Sequence, residues 1–312
     1  MRNMVTSALA LCLLAAAQQA STRGIKMGKG PYFMALNPGD NLLYVTNFAS
    51  DEVLAVDPNY RKVVRKFYAG HEPLGIAVSP GGEKLFVTNQ GPGLVKVVDA
   101  KTLELLDDIK VGAQPCNVVV SPRGSQVFAM NFGKGMICRV DIIYASTHRI
   151  LGEIEVGIRP FAAAVAPTGD HLYVACGGSN DVYVIDIAAR KVNTQIQVGI
   201  TPDGMAIAPD GNTLYVANAG SNDISVVDLV DLTERQRLPV GNRPFRLAVT
   251  NEGALLVVET ADDAVSLFSS DLKKLRTFRV GDQPIDVCVS ADGRTAFVTV
   301  EKDNKLAVLP IN

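Results

Sequence analysis

Hydrophobic and polar positions alternate along most of this chain in short runs. The run Leu74-Gly75-Ile76-Ala77-Val78 is followed by the turn residues Ser79-Pro80-Gly81-Gly82. Then come Leu85-Phe86-Val87-Thr88, a polar loop, Leu94-Val95-Lys96-Val97-Val98-Asp99, and a last run from Leu103 to Val111. Period-two alternation over short segments bounded by Gly, Pro and Asp predicts strands, here four per unit. The unit recurs. A proline opens it at Pro31, Pro73, Pro115, Pro160, Pro202, Pro244 and Pro284, with spacings of 42, 42, 45, 42, 42 and 40 residues. A glycine stands three residues before each, from Gly28 to Gly281. Seven four-stranded units of about 42 residues predict an all-β, seven-bladed β-propeller of antiparallel blades.

The columns of the repeat carry physical sense. Four residues after each proline stand Ala35, Ala77, Val119, Ala164, Ala206, Ala248 and Cys288, small enough for crowded innermost strands. In the second strand Tyr44, Phe86, Phe128, Tyr173, Tyr215, Leu256 and Phe297 are predicted to fill the wider space between sheets. Third strands are expected to end at Asp57, Asp99, Asp141, Asp186 and Asp228, whose carboxylates would accept backbone N–H groups in the next turn. The spacing of 45 places three extra residues in Ile142–His148, on the face away from the entering loops. The seventh unit stops at Asn312 after its third strand, so residues 21–27 are expected to supply the fourth and close the ring.

Composition adds limits. Lys plus Arg number 30 and Asp plus Glu 32, with no block of like charge, which argues against a nucleic-acid partner. Residues 1–20 stand outside the repeat. Arg2, the apolar run Ala8–Ala17 and small residues after it predict a signal peptide cut after Ala17 or Ala20. The expectation is one domain over 21–312, periplasmic or secreted, monomeric, with no membrane span after cleavage. Cys116, Cys138, Cys176 and Cys288 lack metal-type spacing and are expected as free thiols.

Tyr44-Val45-Thr46-Asn47, with Leu172-Tyr173-Val174-Ala175 and Leu214-Tyr215-Val216-Ala217-Asn218, resembles the YVTN family of β-propeller repeats over residues 21–312. The Asn column holds at Asn47, Asn89, Asn131 and Asn218 and departs at Cys176, Glu259 and Val300. The resemblance implies a frequently exported binding or scaffold module and is nearly silent about chemistry.

Candidate chemistry lies in the loops that enter the innermost strands and in those between the second and third strands. They present His71, Arg159, Arg243 and Glu259, with Cys116, Asn117, Asp203, Arg246 and Asp286 just inside. Arg159 and Arg243 suit a carboxylate. Arg246 and Asp286 occupy one repeat position in neighbouring blades, which predicts a salt bridge across the channel. His71, His148 and His171 fall in different registers and cannot make one metal site. No nucleophile–base set, phosphate loop or haem-attachment motif is present, so no cofactor is expected. The reading is a non-catalytic module that takes a protein partner or small polar ligand on its channel face. The alternatives are a lactonase-type hydrolase, with Glu259, Asp203 and Asn117 as metal donors, or an accessory subunit of a periplasmic quinoprotein or haem redox system.

Overall fold

The structure, a computed structural model, describes residues 24–38, 42–134 and 137–311. Residues 1–20, with the expected signal peptide, and residues 21–23 lie outside the described residues. The described chain forms seven four-stranded antiparallel sheets, each meandering outward from an innermost strand. Blades 1 to 6 begin at Pro31, Pro73, Pro115, Pro160, Pro202 and Pro244. Blade 7 takes Pro284–Val289, Thr295–Val300 and Lys305–Pro310, and the short strand Ile25–Lys26 lies outside them, pairing with Leu306 and Lys305. Among the described residues no helix is long and apolar enough to cross a membrane.

The register explains the columns. In blade 5 the small Ala206 faces Tyr215, and Tyr215 faces Val226. Each bulky second-strand residue is buried, from Tyr44 to Phe297. Burying a side chain of that size stabilises by about 1.5–3 kcal/mol. The repeat glycines have a steric cause. A Cβ on any of Gly28, Gly70, Gly112, Gly157, Gly199, Gly241 or Gly281 would come within 3.0 Å of a neighbouring side chain, as Gly112 with Asn131 Cγ at 2.8 Å.

Every inner strand breaks register just after its proline, as between Pro115 and Asn117 or Pro202 and Gly204. Such a bulge re-aims the side chains beside it. Threonines in or just after the second strand tie each of three blades to the next blade's innermost strand there. Thr46 Oγ1 donates to Leu74 O at 2.9 Å, Thr260 Oγ1 to Pro284 O at 2.7 Å, and Thr299 Oγ1 to Tyr32 O at 2.7 Å across the seam between blades 7 and 1.

Two expectations need correction. Asp57, Asp99, Asp186 and Asp228 do accept backbone N–H groups in the following turn. Asp141 does not. It sits inside its strand and accepts from Gly112 N–H and Asn131 Nδ2, where blade 5 uses Ser225. The strand runs on to Tyr144. The three extra residues therefore lie elsewhere. In blade 3 Asn131 pairs with Arg139, eight positions on, whereas Asn218 pairs with Asp223 and Asn89 with Leu94. The insertion lengthens the hairpin between the second and third strands, on the entering-loop face.

Candidate functional site

The site is the central channel and its rim. At the rim, the residue before each proline is left-handed: Gly30, Glu72, Gln114, Arg159, Thr201, Arg243 and Gln283 have φ between 53° and 63°. This conformation is unfavourable for a non-glycine residue, and more so before proline. The neighbouring blade holds five of them. The N–H groups of Glu72, Thr201, Arg243, Gln283 and Gly30 donate to side-chain oxygens of Asp51, Asn180, Asn222, Asp263 and Asn304, at 2.8 to 3.1 Å. One backbone shape thus presents five residue types over seven blades, with no two neighbouring blades alike.

Two rim arginines, Arg159 and Arg243, lie near Asp203. Arg159 is exposed, with Nη2 3.9 Å from the buried Asp203 Oδ1, which has no hydrogen-bond partner among the described residues. Burial raises the Asp203 carboxyl above the usual carboxylate range, opposed by Arg159, Arg246 and Arg243. Burial likewise raises Glu301, opposed by Lys302 and Arg243. Burial pushes the Tyr32 hydroxyl up to about 12. His71 stands exposed on the rim with Nδ1 3.5 Å from Asp51 and Nε2 3.6 Å from Glu72.

Below the rim, rings fill the channel. Phe161 stacks on Phe132 at 5.8 Å and 9° and touches Phe33 at 5.8 Å and Phe245 at 5.4 Å. Tyr32 meets Phe245 edge-on at 6.5 Å. Phe132 comes from the lengthened hairpin. The sequence reading missed both Phe132 and Phe33; the signal for Phe132 was the 45-residue spacing, assigned to the wrong loop.

The Arg246 guanidinium lies beneath this layer, 3.9 Å from the Phe33 ring centre, 5.4 Å from Phe161 and 6.0 Å from Phe245. Such cation–π contacts replace part of the lost hydration. The expected salt bridge to Asp286 is absent: no ion pair within 4.0 Å joins them. Asp286 instead accepts Met34 N–H and Val287 N–H, both at 2.9 Å. Burial nevertheless raises the Asp286 carboxyl to about 6, held down in part by the Arg246 charge and these two bonds.

Cys116, Asn117 and Glu259 serve the fold. Cys116 Sγ donates to Pro160 O at 3.0 Å and Asn117 Nδ2 to Phe161 O at 3.0 Å, joining blade 3 to blade 4. Burial raises the Cys116 thiol far above its ordinary range. Glu259 is buried in the outer part of blade 6. It accepts from Gly241 N–H and Ser266 Oγ, each at 2.8 Å, in the position of the Asn column. Glu259, Asp203 and Asn117 therefore do not converge, and among the described residues no group of three or more His, Cys, Asp or Glu side chains is placed to hold a metal ion. The four described cysteines are free, three of them buried.

No protein-family model matches the chain, and no curated protein sequence matches it. Solved structures match its fold. A chain of Kuenenia stuttgartiensis hydrazine synthase superposes with a TM-score of 0.82 at 21% identity, over 94% of this chain and 98% of that one. A functionally unknown protein from Desulfotomaculum acetoxidans superposes with a TM-score of 0.78 at 14% identity, over 86% and 92%. The chain is a seven-bladed β-propeller. At these identities the likeness extends to the fold alone.

Proposed function

We propose that this protein is an exported, YVTN-type binding module without catalysis of its own, and that its entering-loop face takes a protein partner or polar ligand. The observation that carries this reading is the rim. Seven residues share one left-handed backbone shape, yet the side chains differ from blade to blade. A rigid scaffold that varies only the displayed group is suited to selective recognition. The lactonase alternative has lost its donor set, since Glu259 is committed within blade 6. The accessory-subunit alternative rests on the family resemblance, since the match with a hydrazine synthase chain extends to the fold alone. It is compatible with the same binding face.

The test is capture. Native protein and an Arg159→Ala/Arg243→Ala variant are immobilised and exposed to periplasmic extract, and bound proteins are identified by mass spectrometry. A protein retained by the native form and lost with the variant is expected. Equal retention of the same proteins by both forms would overturn the assignment to this face.

A further inference from the structure

On the side of the aromatic layer away from the rim, the channel opens into a cavity of about 330 Å3. The third to sixth residues of the inner strands line it. Ile76, Val118, Met205 and Leu247 supply apolar side chains to its walls, beside polar surface of similar extent. Among the described residues its only charged side chains are Arg246 and Asp286. Asn117 also borders it, but its amide is already spent on Phe161 O and Val118 N–H. Arg246 is different. Its guanidinium carries five N–H donors, and among the described residues it makes no hydrogen bond and no ion pair; its contacts are the three rings. A half-buried guanidinium whose donors face a cavity and not protein acceptors is free to receive an anion.

From this cavity we infer a second site, independent of the rim: the channel binds an apolar carboxylate, its head on Arg246 and its hydrocarbon tail along the Ile76, Val118, Met205 and Leu247 walls. A planar guanidinium matches a carboxylate in a two-point contact, and the apolar side chains select against small hydrated anions. The volume is within the range of small-molecule pockets.

Asp286 makes the site pH-dependent. Its neighbours in charge are Arg246 across the blade boundary and the thiol of Cys288 two residues along. Around Arg246 stand Asp286, Tyr32, Asp203 and Cys116. An incoming carboxylate meets repulsion from an ionised Asp286 and none from a protonated one. Binding is therefore strongest below about pH 6 and weakens as pH rises through that value. If only the protonated form binds, affinity falls about twentyfold between pH 5.5 and pH 7.5.

The experiment is calorimetric titration of the intact protein with hexanoate, norleucine and inorganic phosphate, at both pH values. Hexanoate is expected to bind at the lower pH and to lose affinity at the higher. Arg246→Met should abolish binding, and Asp286→Asn should retain it and flatten the pH dependence. Ala163→Met narrows the cavity without touching either charge, and should weaken hexanoate at least tenfold while the thermal transition stays cooperative. Three results would overturn the inference: no hexanoate binding up to about 10 mM, undiminished binding by a folded Arg246→Met protein, or phosphate binding as tightly as hexanoate. Norleucine binding in preference to hexanoate would also overturn it, because it assigns Asp286 to an ammonium group. Since neither cavity charge lies on the rim, failure here leaves the partner-capture result untouched.

Discussion

Single residues of this protein are constrained for reasons that the sequence shows unevenly. Gly204 is one case. A Cβ there would overlap the Phe245 carbonyl of the next blade. Gly204→Ala is expected to destabilise by about 1–3 kcal/mol, read from urea unfolding, because neither backbone can retreat. Thr201 is the converse. It is β-branched and held at φ 55°, a conformation costing about 1 kcal/mol or more for such a residue. Thr201→Gly should leave the fold unchanged and raise the denaturant midpoint. Asp286 supplies a pH test. Its folded-state carboxyl is raised to about 6, so between about pH 4 and 6 the folded protein holds a proton that the unfolded chain releases. Stability from this group is full below that window and lost as pH rises through it, by on the order of 2 kcal/mol. Wild type compared with Asp286→Asn by urea unfolding at about pH 4 and pH 7 should show that difference. The nearness of Arg246 and Asp286 was legible from their shared repeat position. The missing ion pair was not, because it depends on Phe33, which stands in the same column of another blade.

At the scale of elements, strands were legible and hairpin lengths were not. Asn131 and Asp141 are ten positions apart, the spacing that also separates Asn218 from Asp228 and Asn89 from Asp99. That coincidence conceals the insertion. The structure shows Asp141 receiving the Gly112 N–H from within the strand, with the turn three residues later. Register follows hydrogen bonding, and a repeated spacing only suggests it. Likewise Glu259 reads as a loop carboxylate, yet it stands in the Asn column and accepts the Gly241 N–H, whose counterparts in blades 3 and 5 go to Asp141 and Ser225. Shortening the blade 3 hairpin by three residues should move the melting temperature by only a few degrees, since loop length changes stability weakly. It should also remove the Phe132 stack on Phe161 and reduce partner capture, measured with the same immobilised extract assay.

For the molecule as a whole, the ring was readable because one unit recurs seven times, each time with the glycine and proline its geometry demands. The function was not, because a propeller serves many chemistries with the same columns. Closure is testable directly. The strand Ile25–Lys26 covers the outer edge of blade 7, and Gly30 N–H reaches Asn304 across the seam. Deleting residues 21–27 should cost several kcal/mol or cause aggregation, because an uncovered edge templates pairing. An unchanged melting temperature in the truncated protein would rule this out. Export has its own check. N-terminal sequencing of secreted or periplasmic material should find a first residue between about 18 and 21.

The uniform left-handed rim gives the disc an angular address. Arg159 and Arg243 stand two blades apart, with Thr201 between them and Gln114 one blade before Arg159. Each slot has the same backbone, so a side chain moved to the next slot points the same way one-seventh of a turn further round the axis. Transplanting both arginines back by one blade, to positions 114 and 201, would leave the scaffold intact and turn any partner that grips the pair by that same fraction of a circle.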